Sequence, residues 1–278
     1  MFAFALLALG PKGKPVIDAV HTVTQVLFKM IAFAMYIAPI GAFGALAFTV
    51  GRFGTSTLLA LGSLVAMFYV LCVLFVLLVL WPIAWGFGIN ILRLVRYIGA
   101  ELMIVVGTSS SESVFPRLHA KLRQLGADPG VVALVLPAGY AFNHDGTCLY
   151  FASVSVFLAQ ALGIDLSLGQ QLGLLAILLV TSKGGAGVAG SAIVVLASTL
   201  AATGTIPVAS VGLILGVHRL LSSAFVPINV LGNAIATLVI ARMERALDLE
   251  TFASELNRPV GSNVSRDTDD LDGVRLEV

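Results

Sequence analysis

The 278 residues are 58% hydrophobic and only 11% charged, with a formal net charge of +1. A soluble domain carries about 25% charged residues, so this composition excludes an ordinary soluble protein and points to one embedded in a membrane. The near-zero net charge offers no field for nucleic acid, and two distant cysteines in apolar runs, Cys72 and Cys148, exclude a zinc pattern or a disulfide framework.

Residues 1–9 are apolar and lack the basic start of a signal peptide; they read as the tail of a helix whose beginning is missing. Gly10 to Pro15 is a break, with Lys12 and Lys14 marking an aqueous side. A first span is expected over about 23–50, with Lys29 snorkelling near its start and a kink at Pro39 and Gly41. A turn carrying Arg52 follows. No charge then occurs before Arg93, and a second span is expected over about 57–91, bent at Pro82, with Trp81 and Trp85 suited to an interfacial belt.

The next stretch is too polar at its centre to span. Apolar residues 98–106 lead to Gly107-Thr108-Ser109-Ser110-Ser111-Glu112-Ser113, and the chain then returns to Arg117, Lys121 and Arg123. A serine tip between two basic ends predicts a re-entrant helical hairpin, its polar tip buried in protein or lining a cavity. A third span over about 130–163 is expected to break at Asn143 to Thr147. A second hairpin follows, with a tip from Thr181 to Ser191 containing Lys183, Gly187 and Gly190. A last span over about 208–241 is expected to be interrupted at Pro227 and Gly232, with Arg219 inside it needing a partner or a wet cavity. From about 248 the chain turns polar and reads as disordered.

Counting spans alternately puts Lys12, Lys14, Arg93, Arg96, Arg117, Lys121, Arg123, Arg242 and Arg245 on one side, with Arg52 opposite. The positive-inside rule makes the crowded side cytoplasmic. The hairpins then enter from opposite faces, making two antiparallel half-domains, the pattern of an inverted-repeat secondary transporter.

The polar breaks carry the chemistry. Freed backbone carbonyls, with Asn143, Asp145, Asn229 and Asn233, suit a hard cation. An aspartate mid-span is costly, so Asp145 should face a cavity or a partner, neutralised by a cation or a proton. Ser109, Ser110, Ser111 and the amides of 185–190 suit an anion, and Thr147 adds a hydroxyl. Plainer readings stand beside these. Small residues also let membrane helices pack closely, and Asn229 and Asn233 can simply hydrogen-bond across helices. Glu112 is either a gate or a solvated charge. His144 is either a proton carrier or a packed histidine, His218 reads as structural or interfacial, and Arg219 reads as an ion-pair member.

At these motifs the chain resembles the dicarboxylate/amino acid:cation symporter family, which includes bacterial C4-dicarboxylate carriers, the archaeal aspartate transporter and mammalian glutamate transporters. The resemblance covers nearly all of residues 1–247. It rests on Gly107 to Ser113, on Gly139-Tyr140-Ala141-Phe142-Asn143-His144-Asp145-Gly146-Thr147, and on Thr181 to Ser191. It implies an all-α membrane protein of glutamate-transporter type, with an inverted-repeat core and two re-entrant hairpins, working as a homotrimer by an elevator movement. Residues 1–92 would be remaining scaffold and early helices, 93–247 the transport core, and 248–278 a disordered cytoplasmic tail. Carried over, Ser110, Ser111, Thr147, Gly187, Gly190 and Asn229 would contact substrate, with Ser109 beside them. Gly139, Asn143, Asp145, Asn229 and Asn233 would match cation positions, of which Asn143, Asp145 and Asn233 supply side-chain oxygens to the metal ion.

The family pattern has six spans before the first hairpin, and only about the last two are present here. The chain is therefore expected to be a fragment, or to have a partner that supplies the rest. The arginine that grips a distal carboxylate is matched by Phe225, a usual aspartate by His218, and His144 follows Asn143. The expected function is symport of a small organic acid, a C4-dicarboxylate or an amino acid, with Na+ or H+ and no cofactor. The setting is the inner membrane among lipid, with a cytoplasmic C-terminus and no nucleic acid partner. The alternatives are a carrier of neutral or aromatic monocarboxylates or amino acids, and an inactive remnant. An enzyme has little support, since no nucleophile–base pair stands out.

Overall fold

The computed structural model describes residues 6, 9–184 and 187–257. Most of the stub over 1–9, Gly185 and Ala186 of the second tip, and the tail from 258 lie outside them. Every element among the described residues is helical, apart from one isolated bridge between Ala127 and Leu247.

Helix α1 (Lys14–Phe53) follows a 3-10 turn, carries a proline in its first turn and continues through Pro39 and Gly41 until Gly54, whose φ of 83° ends it. Helix α2 (Ser56–Phe75) passes through a π segment (Val76–Leu80) into α3 (Trp81–Gly86). Pro82 has no N–H to offer. The π segment lies immediately before it, and the Trp81 N–H reaches five residues back to the Val76 carbonyl. Phe43, Leu59, Leu78 and Trp85 are at least 70% exposed on these helices. Apolar surface of that extent faces lipid or another chain rather than water.

Helix α4 (Ile91–Tyr97) is capped by Asn90, whose Oδ1 accepts from Arg93 N at 3.1 Å. The serine stretch is a helix–tip–helix unit: α5 (Gly99–Thr108), the tip, a 3-10 turn (Glu112–Val114) and α6 (Phe115–Gln124). Ser109 ends α5 in the left-handed region at φ 51°. The base of the unit is joined by a buried ion pair, Lys121 Nζ to Glu101 Oε2 at 2.8 Å, and Nζ also donates to the Tyr97 carbonyl at 2.9 Å. Lys121 is therefore not one of the surface charges it was counted among. Its ammonium neutralises a carboxylate that could not otherwise stay buried.

Asp128 caps α7 (Pro129–Phe142), accepting from Gly130 N and Val131 N at 2.8 and 3.3 Å. The expected break is confined to Asn143 and His144, because Asp145 to Thr147 already form the first turn of α8 (Asp145–Ala161). The second helix–tip–helix unit is α9 (Leu168–Thr181), opened by a Ser167/Gln170 capping box, then a 3-10 turn (Ser182–Gly184), the tip and α10 (Ser191–Thr203).

Helix α11 (Leu215–Met243), entered through a 3-10 run (Val208–Ile214), is continuous through Pro227 and Gly232. The expected interruption does not occur. Gly232 permits close approach by a neighbour rather than breaking the helix. α11 is the axis of the molecule: it packs on α1, α2, α5, α7 and α8. In its run, Val208–Met243, 72% of the apolar window is buried, against 22% for Thr57–Gly86; both runs are long and apolar enough to cross a membrane. The disorder expected from residue 248 does not hold for 249–257, which form α12 (Leu249–Asn257) with Phe252 and Leu256 buried. Asp248 begins it, accepting from Glu250 N and Thr251 N at 3.0 and 3.3 Å and from Thr251 Oγ1 at 2.6 Å; the Thr251 bonds hold its carboxyl below the usual range. Paired backbone bonds, Asp128 N to Ala246 O and Asp248 N to Gly126 O, both at 2.9 Å, tie this end to the start of α7. Arg93 of α4 donates to Asn257.

Lys121→Met alone strands the Glu101 carboxylate and should destabilise the fold by about 3–5 kcal/mol, whereas Glu101→Leu with Lys121→Met should recover most of that loss. Unfolding of the two variants in detergent checks the contrast.

Candidate functional site

The two tips touch. The Gly187 carbonyl accepts from Ser110 Oγ at 2.9 Å, and Ser111 Oγ and Glu112 N each lie 3.4 Å from it. A Cβ at Gly187 would meet Ser111 Oγ and sit 2.9 Å from Glu112 Oε1, so a larger residue there would have to displace those two side chains. The first tip is fixed from behind by Tyr140 of α7, whose hydroxyl donates to the Ser111 carbonyl at 3.1 Å while its ring packs edge-on against Phe115.

The break before α8 is completed by α11. Asn229 Oδ1 accepts from Gly146 N at 2.8 Å and Thr147 N at 3.3 Å, and its Nδ2 donates to Thr147 Oγ1 at 2.9 Å. His144 makes no side-chain cap to the new helix, so Asn229 serves as a cap from another helix. One turn earlier on the same face lies Phe225, and a Cβ on Gly146 would collide with the Phe225 carbonyl. A further turn back, Ser222 Oγ lies 3.0 Å from Ser109 Oγ at the first tip.

Between these groups is a cavity of about 30 Å³. Ser109, Ser111, Thr147, Gly187, Gly190 and Asn229 line it, all of them predicted substrate residues; Ser110 is instead engaged with Gly187. His144, Phe151, Ser182, Ser191, Ser222 and Val226 also line it. Sequence reasoning missed Ser222, although its spacing of three from Phe225 and seven from Asn229 puts all three on one helical face.

Of the predicted cation residues, Gly139, Asn143, Asp145 and Asn233 form a second cluster, whereas Asn229 caps α8 and lines the cavity. The Asn143 amide has one end 3.0 Å from Asn233 Oδ1 and the other 2.5 and 3.2 Å from the Asp145 carboxylate oxygens. A carboxylate only accepts, so the amide nitrogen of Asn143 is assigned to Asp145, and the Asn143 carbonyl then accepts from the Asn233 amide, whose nitrogen takes the nearer position. Gly139 and Gly232 make this possible: a Cβ on Gly139 would strike Asn233 Oδ1, and one on Gly232 would strike Asp145 Oδ2. One carboxylate and two amides bring oxygen ligands with a single negative charge, which suits a small hard cation. No group of three His, Cys, Asp or Glu able to hold a metal occurs among the described residues.

Arg219 is not an ion-pair member among the described residues. It donates to the Gly107 carbonyl at the end of α5, and its Nη1 is buried without a partner. His218 Nδ1 lies 3.1 Å from Tyr150 OH, within an aromatic group with Phe225.

A model of the "Sodium:dicarboxylate symporter family" matches residues 1–243. The chain belongs to this family. Similar curated relatives include proteins named C4-dicarboxylate transport protein from Deinococcus deserti, 52% identical over 92% of this chain and 58% of the relative, and from Laribacter hongkongensis, 51% identical over 93% and 59%. A third, from Pectobacterium atrosepticum, is 49% identical over 92% and 60%. The chain thus spans about three fifths of the length of these relatives, which are transport proteins and not enzymes.

The two kinds of glycine contact separate by substitution. Gly146→Ala forces two backbones apart and should destabilise the protein by about 1–3 kcal/mol or more. Gly232→Ala displaces only side-chain ends, those of Asp145 and Asn143, so it should leave unfolding near wild type while removing any stabilisation of the protein by Na+. Thermal unfolding of both variants, with and without Na+, reads the difference.

Proposed function

We propose that this chain carries the transport core of a secondary active symporter, which moves a small organic acid with Na+ or H+ across the inner membrane. The observation that supports this most is the direct contact of the two polar tips, at Gly187, over a cavity next to the Asn143–Asp145–Asn233 cluster. In this reading the two helix–tip–helix units are re-entrant hairpins entering from opposite faces, halves of an inverted repeat, and the basic ends face the cytoplasm together with the C-terminus.

The chemistry is binding and release, without covalent steps. The tip hydroxyls and amides take the carboxylate. The oxygens of Asn143, Asp145 and Asn233 take the cation, or Asp145 takes a proton. Asn229 bridges the two sites: it holds the start of α8 and faces the cavity, so occupying one site orders the other, which is the physical content of coupling. The second tip opens and closes the cavity to the outside, and the loaded core then crosses as an elevator against a scaffold within a homotrimer. The names of the curated relatives favour a C4-dicarboxylate or a related acid as cargo.

Uptake of labelled acids into proteoliposomes under separate Na+ and H+ gradients tests this. Asp145→Asn should reduce the stimulation by the driving cation by about 5- to 150-fold, the range of ordinary coupling energies. If neither gradient drives uptake of any acid, the chain is a non-transporting remnant and the reading fails.

A further inference from the structure

A second cavity, of about 120 Å³, lies between α8 and α9. Along α8 its wall is Phe151, Ala152, Ser155 and Val156, the i, i+1, i+4, i+5 stripe of one helical face. On the α9 side, Leu174 and Leu178 are buried parts of the wall, whereas Leu168 and Leu172 are exposed at the start of the helix. The cavity is thus bounded at that end by apolar side chains that face outward, where the surroundings are lipid. Among the described residues that line it, none carries a formal charge. Its polar side chains are two. Gln171 donates from Nε2 to the Leu166 carbonyl at 2.9 Å, a bond between two lining residues that fixes the amide at the wall and leaves Oε1 to accept. Ser155 stands within the α8 stripe, is only 3% exposed, and its hydroxyl has no hydrogen-bond partner. Buried hydroxyls are rarely left in that state. Gln171 directly follows the Ser167/Gln170 capping box, so the polar end of α9 is at one end of the cavity and its leucines run inward from there.

We propose that this cavity binds a small uncharged amphiphile drawn from the membrane, a phenol-sized ring bearing one hydroxyl. Volume sets the size, since an apolar cavity of about 150 Å³ takes up benzene. The absence of charge in the wall excludes an ion, because an unpaired buried charge is strongly penalised. Gln171 and Ser155 then favour a hydroxyl over a plain hydrocarbon. The ligand would pack against Phe151, which also lines the cavity between the tips, so a single ring is common to the two cavities. The proposal is independent of the carrier reading above, since it concerns a different cavity and its test reads binding alone.

Fluorine NMR on the purified 278-residue chain in phospholipid nanodiscs tests this, with 4-fluorophenol and fluorobenzene as probes and protein-free nanodiscs to subtract partitioning into lipid. 4-Fluorophenol should bind saturably and about 3- to 10-fold more tightly than fluorobenzene, the worth of one net hydrogen bond. Ala152→Leu fills the cavity and should abolish saturable binding of both probes. If that variant does not fold, Leu175→Phe fills the same space from α9. Ser155→Ala combined with Gln171→Leu should keep both probes bound and make their affinities equal. Absence of saturable binding to the wild-type chain overturns the proposal, as does binding that survives both filling variants. Equal affinity of the two probes for the wild-type chain also overturns it, and would point to a plain hydrocarbon occupant such as a lipid chain.

Discussion

A peptide group released from a helix inside a bilayer has no water to turn to, and leaving it unpaired costs several kcal/mol. This structure breaks its backbone in the middle of an apolar body, so everything near the breaks is arranged to meet that requirement. The N–H groups of Gly146 and Thr147 are received by Asn229, and the Gly187 carbonyl by the serines of the opposite tip. Both partners come from other elements. The breaks therefore hold only when α11 and the two tips are assembled, and local geometry and global packing are the same problem.

α11 carries most of this load. Ser222, Phe225, Asn229 and Asn233 recur every three or four residues and face, in turn, the first tip, the cavity wall, the start of α8 and the Asn143–Asp145 pair. Glycine at Gly139, Gly146 and Gly232 lets the neighbouring chain approach this face. A stiff helix bearing amides at fixed intervals holds the cavity and the Asn143–Asp145–Asn233 cluster in register. The peripheral helices α1 to α3 contrast with this, leaving large apolar side chains exposed along their lengths.

The described cavity lining offers hydroxyls, amides, one imidazole and phenyl rings. The cationic groups sit behind the tips on backbone carbonyls. Glycine spacing and helix breaks shape the overall fold, whereas a few side chains on α8 and α11 give the cavity wall its character.

Hydrophobic runs, proline and glycine punctuation and the scarcity of charge were enough, read along the chain, to establish helices in this order, both helix–tip–helix units and the break at Asn143, because each is written in local composition. The same reading erred at Pro227 and Gly232, where local signals predicted a break and packing kept α11 whole. It also missed α12, whose Phe252 and Leu256 are buried only once the chain folds back. Lys121 looked like a surface charge until folding brought it to Glu101, twenty residues earlier. The contact at Gly187, the capping of α8 by Asn229 and the uncharged cavity beside Phe225 were decided by tertiary structure alone. Each joins residues about 80 or more positions apart, and no periodicity in a sequence records which distant groups must satisfy one another once water is gone.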